Sequence, residues 1–93
     1  MKRTPKNIVY HELIGLNILV LSHSDKSLVG RKGMIVDETM NTLKIVNGDG
    51  KEITVPKLYG MFRVLLPNNI HVDIDGSMII GRPEDRLKKI KKT

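Results

Sequence analysis

Turn residues cut the stretch from Ile18 to Ile80 into apolar segments of about five residues, and that spacing most constrains the fold. The segments are Ile18 to Leu21, Gly33 to Glu38, Leu43 to Val46, Glu52 to Val55, Met61 to Leu66, Ile70 to Ile74 and Ser77 to Ile80. Ser22 to Ser27 reads as a polar loop and Asn41-Thr42 as a turn. Asn47-Gly48-Asp49-Gly50 is the strongest hairpin signal, because Asn and Gly tolerate the positive φ of a tight turn. Asp75-Gly76 predicts a second tight hairpin. Pro56 cannot donate to a ladder, so its strand ends there or lies at an edge.

Ile70, Val72 and Ile74 alternate with His71, Asp73 and Asp75, as on a half-buried strand. Met61 to Leu66 is apolar on both faces except for Arg63, which suits a central strand of a strongly bent sheet. Closing such strands on themselves removes exposed edges. The expectation is a mainly β protein, a small, strongly curved antiparallel barrel with a short helix at each end.

The first helix is expected over Asn7 to Leu16, capped by Asn7, with Val9, Leu13 and Leu16 on one stripe and Gly15 weakening its end. The last starts at Pro83, with Glu84 and Asp85 at its positive end and lysines at its negative end. Leu87 and Ile90 are its apolar contacts, and helices under ~12 residues are marginal alone in water, so partly mobile ends are expected. The chain divides into a basic arm and helix over 1–16, a barrel core over 17–81 and a basic helix or tail over 82–93.

At 93 residues the chain is one domain with one modest core, too small for a cleft between two lobes. It has no cysteine, which excludes disulfides, thiolate zinc sites and a cysteine nucleophile, and suits a reducing cytoplasm. No apolar run approaches the ~18 residues of a membrane span, and the start lacks a signal-peptide core. The net charge of +6 sits at the ends. Lys2, Arg3 and Lys6 meet no acid before residue 11, and six basic residues face two acids after residue 81. Basic arms on a near-neutral body point to a polyanion partner.

A catalytic constellation is not evident. His11, His23 and His71 lie far apart and outside any ligand-spaced motif. Asp37 and Glu38 are adjacent, so a strand points them to opposite faces. Asp73 and Asp75 share a face that could attract hydrated Mg²⁺, although a solvated strand face is the plainer reading. There is no P-loop or nucleophile elbow. The more specific segment is Val29-Gly30-Arg31-Lys32-Gly33, in which two glycines bracket two cations just before a strand. Tyr10, Tyr59 and Phe62 form no base-stacking platform, so an RNA ligand would be held by phosphate and shape.

Several stretches in this order and spacing resemble the archaeal ribonuclease P protein component 1 family. They are Glu12-Leu13-Ile14-Gly15-Leu16, the Val29-Gly30 to Gly33 turn, Asp37-Glu38-Thr39-Met40-Asn41-Thr42-Leu43, Pro56-Lys57 and Gly81-Arg82-Pro83-Glu84-Asp85-Arg86. The resemblance implies an Sm-like (SH3-like) barrel subunit of a ribonucleoprotein that removes the 5′ leader from precursor tRNA. It implies that the RNA carries the chemistry with Mg²⁺ and that this chain binds no cofactor. It further implies pairing with a small zinc-ribbon subunit, engagement of the RNA's specificity domain, and end helices ordered mainly in that pair.

On that reading the RNA contacts are Arg31, Lys32, Lys57, Arg63, Arg82 and Arg86, with Lys2, Arg3 and Lys6 adding diffuse attraction. Val9, Leu13, Leu16, Leu87 and Ile90 would serve a protein partner or the barrel. The competing reading is a protein-interaction module of another ribonucleoprotein, such as a ribosome-associated complex, because a small barrel supports both uses. A stand-alone nuclease would need more clustered acids than Asp73 and Asp75.

Overall fold

The computed structural model describes residues 13–82. Within them, six strands form one antiparallel sheet: β1 (Asn17–His23), β2 (Lys32–Glu38), β3 (Thr42–Val46), β4 (Glu52–Pro56), β5 (Gly60–Leu65) and β6 (His71–Asp75). Their order is β4-β3-β2-β1-β5-β6. The Asn47–Gly50 hairpin forms as its residues demand, closed by hydrogen bonds from Gly50 N to Asn47 O and from Asn47 N to Lys51 O, both 3.0 Å. Pro56 ends β4, an edge strand, where its missing N–H costs no ladder bond.

Irregularities in the β1–β5 register between Val20 and Ser22, and in the β2–β3 register between Ile35 and Asp37, bend the sheet. The edge strands β4 and β6 do not pair with each other. Yet Gly76, just after β6, packs against the carbonyl of Lys57, just after β4. The sheet is therefore rolled into the expected small barrel. Its inside holds Ile18 and Val20 of β1, Ile35 of β2, Ile45 of β3 and Phe62 and Val64 of β5.

Three local expectations are corrected. Leu13 to Leu16 is a turn rather than the end of a helix: Gly15, at φ +95°, donates to Ile35 O (2.8 Å), and Ile35 N donates to Leu16 O (2.9 Å). Leu13 and Leu16, at 0% and 4% exposure, thus belong to the barrel core and are not free for a partner. Ser22 to Ser27 is not all loop, because β1 runs to His23 and a 3-10 helix spans Lys26–Leu28. Ser77 to Ile80 is not a strand, because Gly76–Ile79 is a second 3-10 helix. The two short helices share one cause. Asp25 accepts from Ser27 N and Oγ (3.0 and 2.7 Å), and Asp75 from Ser77 N and Oγ (both 2.9 Å), so each Asp-x-Ser sequence caps a helical turn. The remainder of the two expected terminal helices lies outside the described residues.

Candidate nucleic-acid interface

Cross-strand register assembles the outer face of β2, β1, β5 and β6. Leu19 lies opposite both Lys32 and Arg63, and Arg63 opposite Asp73, which gives the row Lys32–Leu19–Arg63–Asp73. The next row on this face is Met34–Asn17–Leu65–His71. A cavity of about 440 Å³ opens here, lined by Asn17, Leu19, Lys32, Gly48, Arg63, Leu65 and His71 among others. A second hollow of about 300 Å³ adjoins it, lined by Gly30, Arg31, Lys32, Asn47, Gly48, Asp49 and Ile53. Lys32 and Gly48 border both.

The basic turn is pinned rather than loose. Gly30 N donates to Val20 O (2.8 Å) and Val20 N to Arg31 O (2.9 Å), tying the turn to β1. Arg31 Nε donates to Ser27 O at 3.2 Å. Arg31 and Lys32 are exposed, and among the described residues neither ion-pairs with a carboxylate. Gly33 has no room for a Cβ, which would collide with the carbonyl of Val46. That glycine therefore serves the approach of β2 to the end of β3, rather than of a phosphate.

Arg63 holds Asp73 with both arms of its fork, Nε to Oδ1 at 2.8 Å and Nη2 to Oδ2 at 3.2 Å. The hydrogen bond, and then the charge of Asp73, raises the Arg63 pKa above its usual value. The same bond, aided by the charges of Arg63 and His71, holds Asp73 below the usual carboxylate range. Asp75 is lowered by its bonds to Ser77, and Asp25 by its bonds to Ser27 with help from His23. Asp73 and Asp75 do share an exposed face, yet each has its own partner. Among the described residues no three His, Asp or Glu side chains converge where they could hold a metal ion. His23 is a connector: its Nδ1 accepts from Asp25 N (3.0 Å), which leaves Nε2–H to donate to Pro56 O (2.9 Å).

Lys57 is corrected outright. Expected at the RNA surface, it is fully buried. Its Nζ lies 2.7 Å from Glu38 Oε2 and donates to the carbonyls of Thr39 (2.8 Å), Met40 (3.3 Å) and Gly81 (2.9 Å). Bare burial of an ammonium is prohibitive, and this cage of oxygens makes it tolerable. Arg82 is exposed and follows Gly81, which is tied to Met40 O through its N–H (2.8 Å). Lys2, Arg3, Lys6, Val9, Arg86, Leu87 and Ile90 lie outside the described residues. No helix among the described residues is long and apolar enough to cross a membrane.

Comparison with known proteins decides the family. The family model described as "Ribonuclease P/MRP, subunit p29" matches residues 6–89. The chain belongs to this family. Ribonuclease P protein component 1 of Staphylothermus marinus is 51% identical over 90 residues, covering 97% of this chain and 98% of that protein. The protein of the same name from Methanocaldococcus jannaschii is 48% identical over 86 residues, covering 92% and 90%. A solved structure titled "Structure of Mth11: A homologue of human RNase P protein Rpp29" superposes with a TM-score of 0.61 at 45% identity, covering 82% of this chain and 97% of that one.

In this p29-family chain the structure brings Arg31, Lys32 and Arg63 to one surface and removes Lys57 from it. The sequence reading did not select Asn17, Leu19, Leu65 or Gly48, and gave His71 no role at this surface. One signal was present. Leu65 lies in the Met61–Leu66 run, apolar on both faces, so some of its side chains had to face outward. Only the register shows that they face outward beside Leu19, Lys32 and His71.

Proposed function

We propose that the chain acts in ribonuclease P without catalysing the reaction, by binding RNA through the outer face of β2, β1, β5 and β6. As a member of the p29 family it is a protein subunit of ribonuclease P. The observation that carries the surface assignment is the register row that sets Lys32 and Arg63 on either side of Leu19, with Arg31 in the adjoining hollow. Cations fixed on strands and a pinned turn contact phosphates at small entropic cost, and phosphate contacts position a protein on RNA. The acids on this side are engaged in structure, Asp73 by Arg63 and Asp75 by Ser77, which favours a supporting role. On this reading the RNA holds the Mg²⁺ for the 5′-cleavage of precursor tRNA. The small zinc-ribbon subunit and the other proteins of the complex are its neighbours, in the cytoplasm.

Reconstitution tests the reading. The purified chain with Mg²⁺ should leave precursor tRNA intact. A holoenzyme carrying Asp73→Asn and Asp75→Asn should keep its chemical step. Loss of that step with RNA binding preserved would assign chemistry to the chain.

A further inference from the structure

We infer that the cavity between Lys32, Gly48 and His71 is a nucleotide pocket for one unpaired RNA base, with the neighbouring phosphate held by Lys32 and Arg31. The inference rests on the RNA-binding reading above and deepens it. The cavity's ~440 Å³ lies within the ~300–1,000 Å³ usual for small-molecule sites. Its lining is apolar at Leu19 and Leu65, and no carboxylate contributes to it. Unpaired RNA bases stack on guanidinium planes and on His rings as well as on larger aromatics. Arg63 and His71 both line this cavity. The two-armed bond to Asp73 fixes the plane of the Arg63 guanidinium before any ligand arrives, so little rotamer freedom is lost on stacking. Asn17 adds a carboxamide, which offers both a donor and an acceptor to a base edge.

The phosphate follows from the layout of the two hollows. Lys32 stands on their shared border and Arg31 lines the second, so a nucleotide in the first directs its backbone toward two cations. An apolar peptide would fill the floor but leave these cations without an anion. Duplex RNA has no free base for the floor. The expectation of phosphate-only recognition counted Phe, Trp and Tyr, and so overlooked a histidine and a fixed arginine as the stacking surfaces.

The test is an amide chemical-shift titration of the full chain with a short single-stranded oligoribonucleotide, and with the same strand in a Watson–Crick duplex. The single strand should shift Asn17, Gly33, Leu65 and His71. The duplex should shift residues around Arg31 and Lys32, Gly33 included, and leave Asn17, Leu65 and His71 in place. Arg63→Lys keeps the charge and loses the plane. It should weaken single-strand binding about tenfold, within the usual range for one stacked base, and weaken duplex binding much less, because the charge offered to phosphates is kept. His71→Ala, at an exposed position, should act in the same direction and guards against a folding defect in the first variant. Equal responses to single strand and duplex, or undiminished single-strand binding by both variants, would overturn the pocket while leaving the RNA surface standing. A parallel titration in which an apolar peptide shifts Asn17, Leu65 and His71, while both RNAs shift only the residues around Arg31 and Lys32, would also overturn it. Absence of any shift on this face with either RNA would overturn the underlying reading as well.

Discussion

Lys57 Nζ lies 2.7 Å from Glu38 Oε2, and neither side chain has any solvent-exposed area. The pair joins the segment after β4 to the end of β2, and the bond to Gly81 O carries the link on to the last described residues. A buried pair of this kind is a weak source of net stability, but losing one partner strands the other's charge in a low-dielectric interior.

Lys57→Met should therefore cost about 3–5 kcal/mol, read as a lower denaturation midpoint in urea. Adding Glu38→Leu should recover part of the loss. Recovery stays incomplete, because the carbonyls of Thr39, Met40 and Gly81 lose a donor in both variants. A double variant no more stable than the single one would show that the carbonyl cage, rather than the ion pair, dominates.

The same pair explains why this residue was misread. A lysine after a proline between two strands is exposed by default, and nothing within several residues of Lys57 suggests otherwise. Its partners come from Glu38, Thr39 and Met40, and from Gly81, which is 24 residues away. Strand alternation and Asn-Gly turns are local signals, so β1 to β6 were legible to within a few residues. Lys57 becomes buried only when the sheet rolls and three distant segments converge. Leu13 and Leu16 failed for a different reason. Their spacing fits a helix stripe and an inward turn equally well, and the left-handed Gly15 selects the turn. Arg31 and Lys32 were legible as a surface pair because glycines flank them. The cavity beside them was not, because it exists only through cross-strand register.

Gly76→Ala should destabilise the barrel at its closure. A Cβ there would run into the Lys57 carbonyl and press on Phe62, and neither the backbone nor the core ring yields cheaply. Overpacking of this kind typically costs about 1–3 kcal/mol. Gly48→Ala is the control, since a Cβ there meets nothing within 4 Å. Thermal melts of both variants check this, and equal melting temperatures would refute the closure argument.

Acid should weaken the fold through three exposed carboxylates. Asp25, Asp73 and Asp75 all have native pKa values below the usual 3.8. Their contribution is thus present in full above that value, and is lost as pH falls through the lowered native values. Melting temperature should be level from neutral pH to about pH 5 and fall below about pH 4. Replacing all three by Asn keeps an oxygen for the two Ser caps and removes the titration. The acid limb should then flatten, and an unchanged limb would place the acid sensitivity elsewhere.

Reversing the basic turn, Arg31→Glu with Lys32→Glu, should weaken binding to folded ribonuclease P RNA and spare the fold. Both side chains are exposed, and exposed substitutions away from core features usually change stability by under about 0.5 kcal/mol. The turn's hydrogen bonds to β1 run through backbone atoms of Val20, Gly30 and Arg31, so they survive the change of side chain. Each cation seated on a phosphate releases condensed counterions, and removing one should reduce the steepness of log affinity against log salt by roughly 0.7–0.9. Removing both should therefore flatten that slope by about 1.4–1.8. A protein-docking surface would behave differently, because a mainly apolar interface changes little with salt. Affinity measured across a salt series, beside a melt of the same variant, separates these outcomes. A folded variant with the wild-type slope would take the turn out of the RNA interface and leave the face to a protein partner.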